Sequence, residues 1–149
     1  ERVALQWYES ERNILRKTTN TGREVAFRLL KEGQRLKHDD VVFISDELVI
    51  AIEILPSDVI VLSPKTLPEM ARACYEIGNK HSPLFLDGDE VTLPYDKPMF
   101  EWLQAAGFHP QKAERRLSQA LRANSAQGHG HSHSHSHYHH HGDGNWHQH

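Results

Sequence analysis

The stretch Val59-Ile60-Val61-Leu62-Ser63-Pro64-Lys65-Thr66-Leu67-Pro68-Glu69-Met70-Ala71-Arg72-Ala73-Cys74-Tyr75-Glu76-Ile77-Gly78-Asn79-Lys80-His81 decides the fold. Its first four residues form an unbroken aliphatic run, the pattern of a strand buried on both faces. Ser63-Pro64-Lys65 interrupts that run, and Thr66 stands where a helix N-cap belongs, with Glu69 three residues on and Pro68 in the first turn. A helix is predicted from about Leu67 to Lys80; Leu67, Met70, Ala71, Cys74, Tyr75 and Ile77 give it one apolar face, and Gly78-Asn79 can end it. Next, Pro83-Leu84-Phe85-Leu86 and Glu90-Val91-Thr92-Leu93 flank the turn Asp87-Gly88-Asp89, which reads as a hairpin. A second helix is predicted from about Lys97 to Ala106, stopped by Gly107, with an extended piece after Phe108. The order β-α-β-β-α-β is that of a ferredoxin-like domain. Beyond it, a charged stretch from Lys112 to Arg122 is expected to lead into the C-terminal tail.

Upstream of Pro56 the pattern differs. Asn13 to Arg16 and Glu24 to Leu29 flank the turn Thr19-Asn20-Thr21-Gly22; Val41-Val42-Phe43-Ile44 and Leu48-Val49-Ile50-Ala51-Ile52 flank Ser45-Asp46-Glu47. Two short hairpins in succession predict a small sandwich or barrel. The expected class is therefore α+β: a small β-rich domain over residues 1–56, a ferredoxin-like domain over 57–124, and a flexible tail over 125–149. With 149 residues in all, two such small domains would lean on each other or on a partner chain. Hydrophobic content of 38% and a formal net charge of −3 suggest neither a nucleic acid nor a membrane as partner, and no apolar run is long enough to span a bilayer. The lone Cys74 rules out an internal disulfide framework and fits the reducing cytoplasm. The chain opens on Glu1 without Met, so a preceding piece is expected to be missing.

The tail carries the chemistry. Of thirteen histidines, His38, His81 and His109 precede it, and His129, His131, His133, His135, His137, His139, His140, His141, His147 and His149 lie within it. Near neutral pH an imidazole offers a nitrogen lone pair to a borderline metal ion, while the interleaved Gly and Ser add no bulk or packing surface. The alternation with Gly and Ser, and the ending Gly142-Asp143-Gly144-Asn145-Trp146-His147-Gln148-His149, differ from the unbroken run of a purification tag. The tail is expected to collect Ni, Zn, Cu or Co, with capacity falling below about pH 6.5 as protons compete for imidazole.

Ahead of the tail, His81 is the informative histidine. Read alone, a histidine at a helix end is structural or dipole-linked, and one donor is too few where a transition metal takes about four. A two-fold axis near His81 would change the count, because each subunit would supply one imidazole and tail histidines could complete the shell. Cys74 lies seven residues earlier on the same helix, and its place within the apolar face favours packing over ligation. His38, between Lys37 and Asp39-Asp40, is expected at a solvated surface, and His109 before Pro110 could join a metal site. Glu114-Arg115-Arg116 could be solvated, dock an acidic partner or brace a dimer. No phosphate-binding Gly-x-x-x-x-Gly-Lys loop, His-Glu-x-x-His helix or Gly-x-Ser-x-Gly elbow occurs, so catalysis finds no support.

In chain order, Asn13-Ile14-Leu15-Arg16-Lys17, Ala73-Cys74-Tyr75-Glu76-Ile77-Gly78-Asn79-Lys80-His81, Tyr95-Asp96-Lys97, Glu114-Arg115-Arg116 and the histidine tail resemble the UreE family of urease accessory proteins, the nickel metallochaperones of urease maturation. Gly78-Asn79-Lys80-His81 is the most specific part. The resemblance implies a peptide-binding-like N-terminal domain, a ferredoxin-like metal-binding C-terminal domain and a homodimer built through the latter, with metal-linked tetramers as a further step. It implies that His81 is an interfacial ligand for Ni2+, one from each subunit, supplemented by tail histidines, with Zn2+ or Cu2+ able to bind as well. It further implies delivery of nickel to apo-urease together with a GTPase partner, and no enzymatic activity. Some members carry His-x-His where this chain has Tyr95-Asp96-Lys97, so that secondary site is expected to be absent. Family members also begin with additional residues before Glu1. Two other readings stay open: a nickel or zinc buffer with no delivery target, and a peptide-binding module whose tail is incidental.

Overall fold

The computed structural model describes residues 1–118, 120 and 121. The first half builds two small sheets. Strand β1 (Arg2–Leu5) runs parallel to β5 (Val49–Ile54), which pairs on its other side with the antiparallel β4 (Val41–Ile44), so the order is β1-β5-β4. Strands β2 (Ile14–Thr18) and β3 (Glu24–Arg28) form a separate antiparallel hairpin in the register Ile14↔Arg28 to Thr18↔Glu24. Both hairpins form where the sequence predicts them. The pairing of β1 with β5 carries no local signal, because the two strands are far apart in the chain and join only in three dimensions. Alternation sorts the side chains: Val3, Leu5, Leu15, Ile50, Ile52 and Ile54 enclose one core between the two sheets.

The second half is the βαββαβ unit. Strand β6 (Ser57–Leu62), helix α1 (Leu67–Asn79), the hairpin of β7 (Phe85–Asp87) and β8 (Glu90–Pro94), helix α2 (Lys97–Ala105) and β9 (Gln111–Arg115) follow in order. The sheet order β7-β8-β6-β9, antiparallel throughout, is the ferredoxin-like arrangement. The aliphatic run Val59 to Leu62 is buried on both faces, as the central strand requires: Ile60 and Leu62 face the helices with Ala73, Ile77 and Leu103. Helix α1 is capped by Thr66 as its sequence suggests, and α2 by Asp96, which the sequence reading did not name. Thr66 Oγ1 accepts the Glu69 N–H at 3.3 Å while the Glu69 carboxylate accepts the Lys65 N–H at 2.7 Å, and the Asp96 carboxylate accepts the Met99 N–H at 3.0 Å. The last strand falls inside the charged stretch that the sequence reading takes as a lead into the tail. An edge strand tolerates Lys112 and Glu114 on its open face.

The opposite face of this sheet meets the first half. Val59, Val61, Phe85 and Leu117 form a third cluster, and Trp7 packs edge-on against Phe85 with ring centroids 5.6 Å apart. Arg116 Nε donates to the Ile54 carbonyl at 2.9 Å across the same junction, while Arg115 pairs with Glu90 at 2.6 Å and Asp87 at 3.4 Å. The two arginines of Glu114-Arg115-Arg116 thus make contacts within the fold, a role that was not among the three expected of this stretch. No helix among the described residues is long and apolar enough to cross a membrane.

Candidate metal centre

Helix α1 carries two distinct faces where the sequence suggests one. Ala73 and Ile77 are fully buried and Met70 and Cys74 pack against the same core. Leu67 and Tyr75 instead point outward, 85% and 68% exposed, with the exposed Ala71 between them at four-residue spacing. An apolar stripe therefore runs along the outside of α1 toward its C-terminus.

His81 stands just past the end of that helix. The helix closes with the Lys80 N–H donating to the Ile77 carbonyl at 3.1 Å and the His81 N–H to the Gly78 carbonyl at 3.0 Å. The residue that makes this turn is His81 itself, at φ +55°, whereas Gly78 remains within the helix. Left-handed backbone at a helix end is ordinarily given to glycine or asparagine, because a Cβ is crowded there. The His81 side chain is exposed, and its ring makes no hydrogen bond or ion pair among the described residues. Beside it, Lys80 Nζ sits 4.1 Å from the Trp102 ring centroid, which holds that cation against α2.

The other candidates part company with His81. Burial pushes the Cys74 thiol above its ordinary range, and Cys74 Sγ lies 3.8 Å from Met70 Sδ, so it packs as a thiol rather than offering a thiolate. His38 is half-buried, not solvated as expected: its Nδ1 accepts the Ile54 N–H at 3.1 Å, which uses that lone pair in holding the loop to β5. His109 is exposed at φ +51° and lines a cavity with Arg72 and Phe108. No group of three or more His, Cys, Asp or Glu side chains is gathered for a metal among the described residues. Tyr95 leans on Phe100, with ring centroids 6.0 Å apart, and takes Lys112 Nζ 4.5 Å from its own ring centroid. His129, His131, His133, His135, His137, His139, His140, His141, His147 and His149 lie outside the described residues.

The route by which the chain reaches that tail is described, and no sequence signal points to it. After β9, Leu117 is buried, Ala120 bridges Phe85 in antiparallel fashion, and the Leu121 N–H donates to the Leu84 carbonyl at 2.6 Å. The chain thus returns to the free edge of β7. Leu84 is three residues from His81, at most about 11 Å at the extended limit of roughly 3.6 Å per residue. Leu121, the last described residue, therefore lies at the strand edge that follows His81 in the chain.

Comparison with known proteins places these features in one family. The model for the N-terminal domain of the UreE urease accessory protein matches residues 1–55, and that for its C-terminal domain matches residues 57–149. A urease accessory protein UreE of Haemophilus influenzae (strain PittGG) is 95% identical over 100% of this chain and 83% of its own length. One from Actinobacillus pleuropneumoniae is 93% identical over 85% of this chain and 68% of its own length. A more distant one from Helicobacter pylori is 32% identical over 87% of this chain and 78% of its own length.

Proposed function

The chain belongs to the UreE family of urease accessory proteins, and from that premise we propose that it is a metallochaperone that binds Ni2+ as cargo and hands it to apo-urease. The observation that carries this reading is His81: an exposed imidazole, unpartnered among the described residues, held in a conformation that favours glycine, at the end of an exposed apolar stripe. A residue kept against its backbone preference is kept for its side chain.

In this reading residues 57–124 form the metal-binding and dimerisation domain, residues 1–56 the β-rich domain, and residues 125–149 the tail. Two copies bury the Leu67, Ala71 and Tyr75 stripe against each other, which brings two His81 rings to one axis. Two imidazoles leave the shell incomplete, and the tail histidines fill it. From Leu121 to His129 is eight residues, up to about 28 Å of extended chain, and a tether of this kind gives effective concentrations in the millimolar range. An incomplete site binds and also releases. Transfer then exchanges imidazoles for the ligands of the acceptor, with no covalent chemistry and no enzymatic turnover. Imidazole donors also accept Zn2+ and Cu2+, so selectivity comes from supply and from docking onto the urease assembly and its GTPase partner in the cytoplasm. Nickel can also link dimers into tetramers through the tails.

Calorimetric titration of Ni2+ into the full chain tests this. One tight ion per dimer is expected, together with weaker ions that disappear when the chain is stopped at residue 128. His81→Ala should abolish the tight ion and spare the weak ones. Tight binding unchanged in His81→Ala would overturn the role given to His81.

A further inference from the structure

The outward face of the β2–β3 hairpin is a second feature that nothing in metal binding uses. The inner face of the hairpin is closed: Leu15 is buried, and Val25 and Phe27 pack on the same core. The outer face presents, in the observed register, Thr18 opposite Glu24, Arg16 opposite Ala26 and Ile14 opposite Arg28, and the alternation continues to Leu30, so one carboxylate stands at its far end. Ile14 is 71% exposed and Leu30 81%, among the most open large apolar side chains in the described residues. Arg16 and Arg28 lie on the diagonal of adjacent cross-strand pairs, roughly 7 Å apart by ordinary sheet geometry. Neither makes an ion pair or hydrogen bond among the described residues, although Arg2, Arg23, Arg35 and Arg115 all find carboxylates. An open cavity of about 460 Å³ lies at the same hairpin, lined by Arg16, Thr18, Glu24 and Ala26 among others.

We infer that this face is a docking surface for a partner protein segment that alternates carboxylates with aliphatic side chains. The chemistry selects that occupant in three steps. Two guanidiniums without internal partners match two carboxylates, each able to accept a bidentate pair of N–H donors. Ile14 and Leu30 interleave with them, so the complementary surface is apolar between its charges. A nucleic acid fits less well: the face has no aromatic side chain on which a base could stack, and a chain of net charge −3 does not attract polyanions at long range. The surface lies on the first half of the chain, whereas the α1 stripe and His81 belong to the second, so no residue is shared between the two.

The test uses the full chain and a fluorescently labelled peptide in which glutamates alternate with leucines, followed by anisotropy. A matched peptide with glutamine for glutamate and a single-stranded DNA oligonucleotide are run beside it. The acidic peptide should bind, the double variant Arg16→Glu with Arg28→Glu should weaken it at least about tenfold, and Ile14→Ser should weaken it without altering its salt dependence. An unchanged circular dichroism spectrum and thermal unfolding show that each variant is folded, and unchanged Ni2+ binding separates this surface from the metal reading. Equal affinity for the glutamine peptide, equal affinity in the double variant, or tighter binding of the oligonucleotide would overturn the inference.

Discussion

A backbone at φ +55° favours glycine, yet the residue that turns the chain away from α1 is His81. The strain of a Cβ in left-handed backbone is roughly 1–2 kcal/mol, partly offset because glycine makes the unfolded chain more flexible. His81→Gly is therefore expected to raise the stability of the metal-free protein by about 0.5–1 kcal/mol, read from the urea midpoint at fixed protein concentration. The same variant should lose the tight Ni2+ ion. A destabilised glycine variant would mean that the imidazole serves the fold, as His38 does by accepting the Ile54 N–H. This contrast was only partly legible beforehand. Gly78-Asn79 pointed to a helix end, but not to which residue would take the left-handed turn, since that depends on where the last carbonyls find donors. His38 looked like surface because its acceptor role is set by a strand sixteen residues away in sequence.

At the scale of elements, the periodicity of α1 was read correctly as apolar and wrongly as one face. Leu67, Ala71 and Tyr75 share a stripe at four-residue spacing, while Ala73 and Ile77 share another, and hydrophobicity alone does not say which one the chain's own core takes. In the structure the core takes the second, and the first is left outside. Tyr75→Glu would place a charge at the C-terminal end of the exposed stripe, on the side of His81, without touching the core. Sedimentation should show the dimer of this variant weakened at least about tenfold, with the monomer still folded by circular dichroism. An unaltered dimer would put the subunit interface elsewhere. Other elements carried their own signals: the Thr66 cap, the aliphatic run of β6 and the Gly88 turn, at φ +58°, each announced themselves locally. The pairing of β1 with β5 and the return of residues 117–121 to the β7 edge did not, because both rest on contacts between distant residues.

Over the whole molecule, two small cores and a shared cluster around Trp7, Phe85 and Leu117 hold the halves together, and the chain leaves the described fold at Leu121, pinned beside Leu84. That path leaves Leu121 at the β7 edge, beside Leu84, which is three residues along the chain from His81, while the docking face assigned to the β2–β3 hairpin lies on the other half. The proposed arrangement separates three tasks: capture by the tail, holding at a two-fold axis, and recognition of a partner. The holding site is the part on which the others depend. Crystals of the full chain grown with Ni2+, with anomalous scattering recorded at the nickel edge, address it directly. The expected result is one strong nickel peak on a two-fold axis, within bonding distance of a ring nitrogen of His81 from each of two protomers. A nickel peak bound only by tail histidines, or His81 rings far from any subunit junction, would contradict the account.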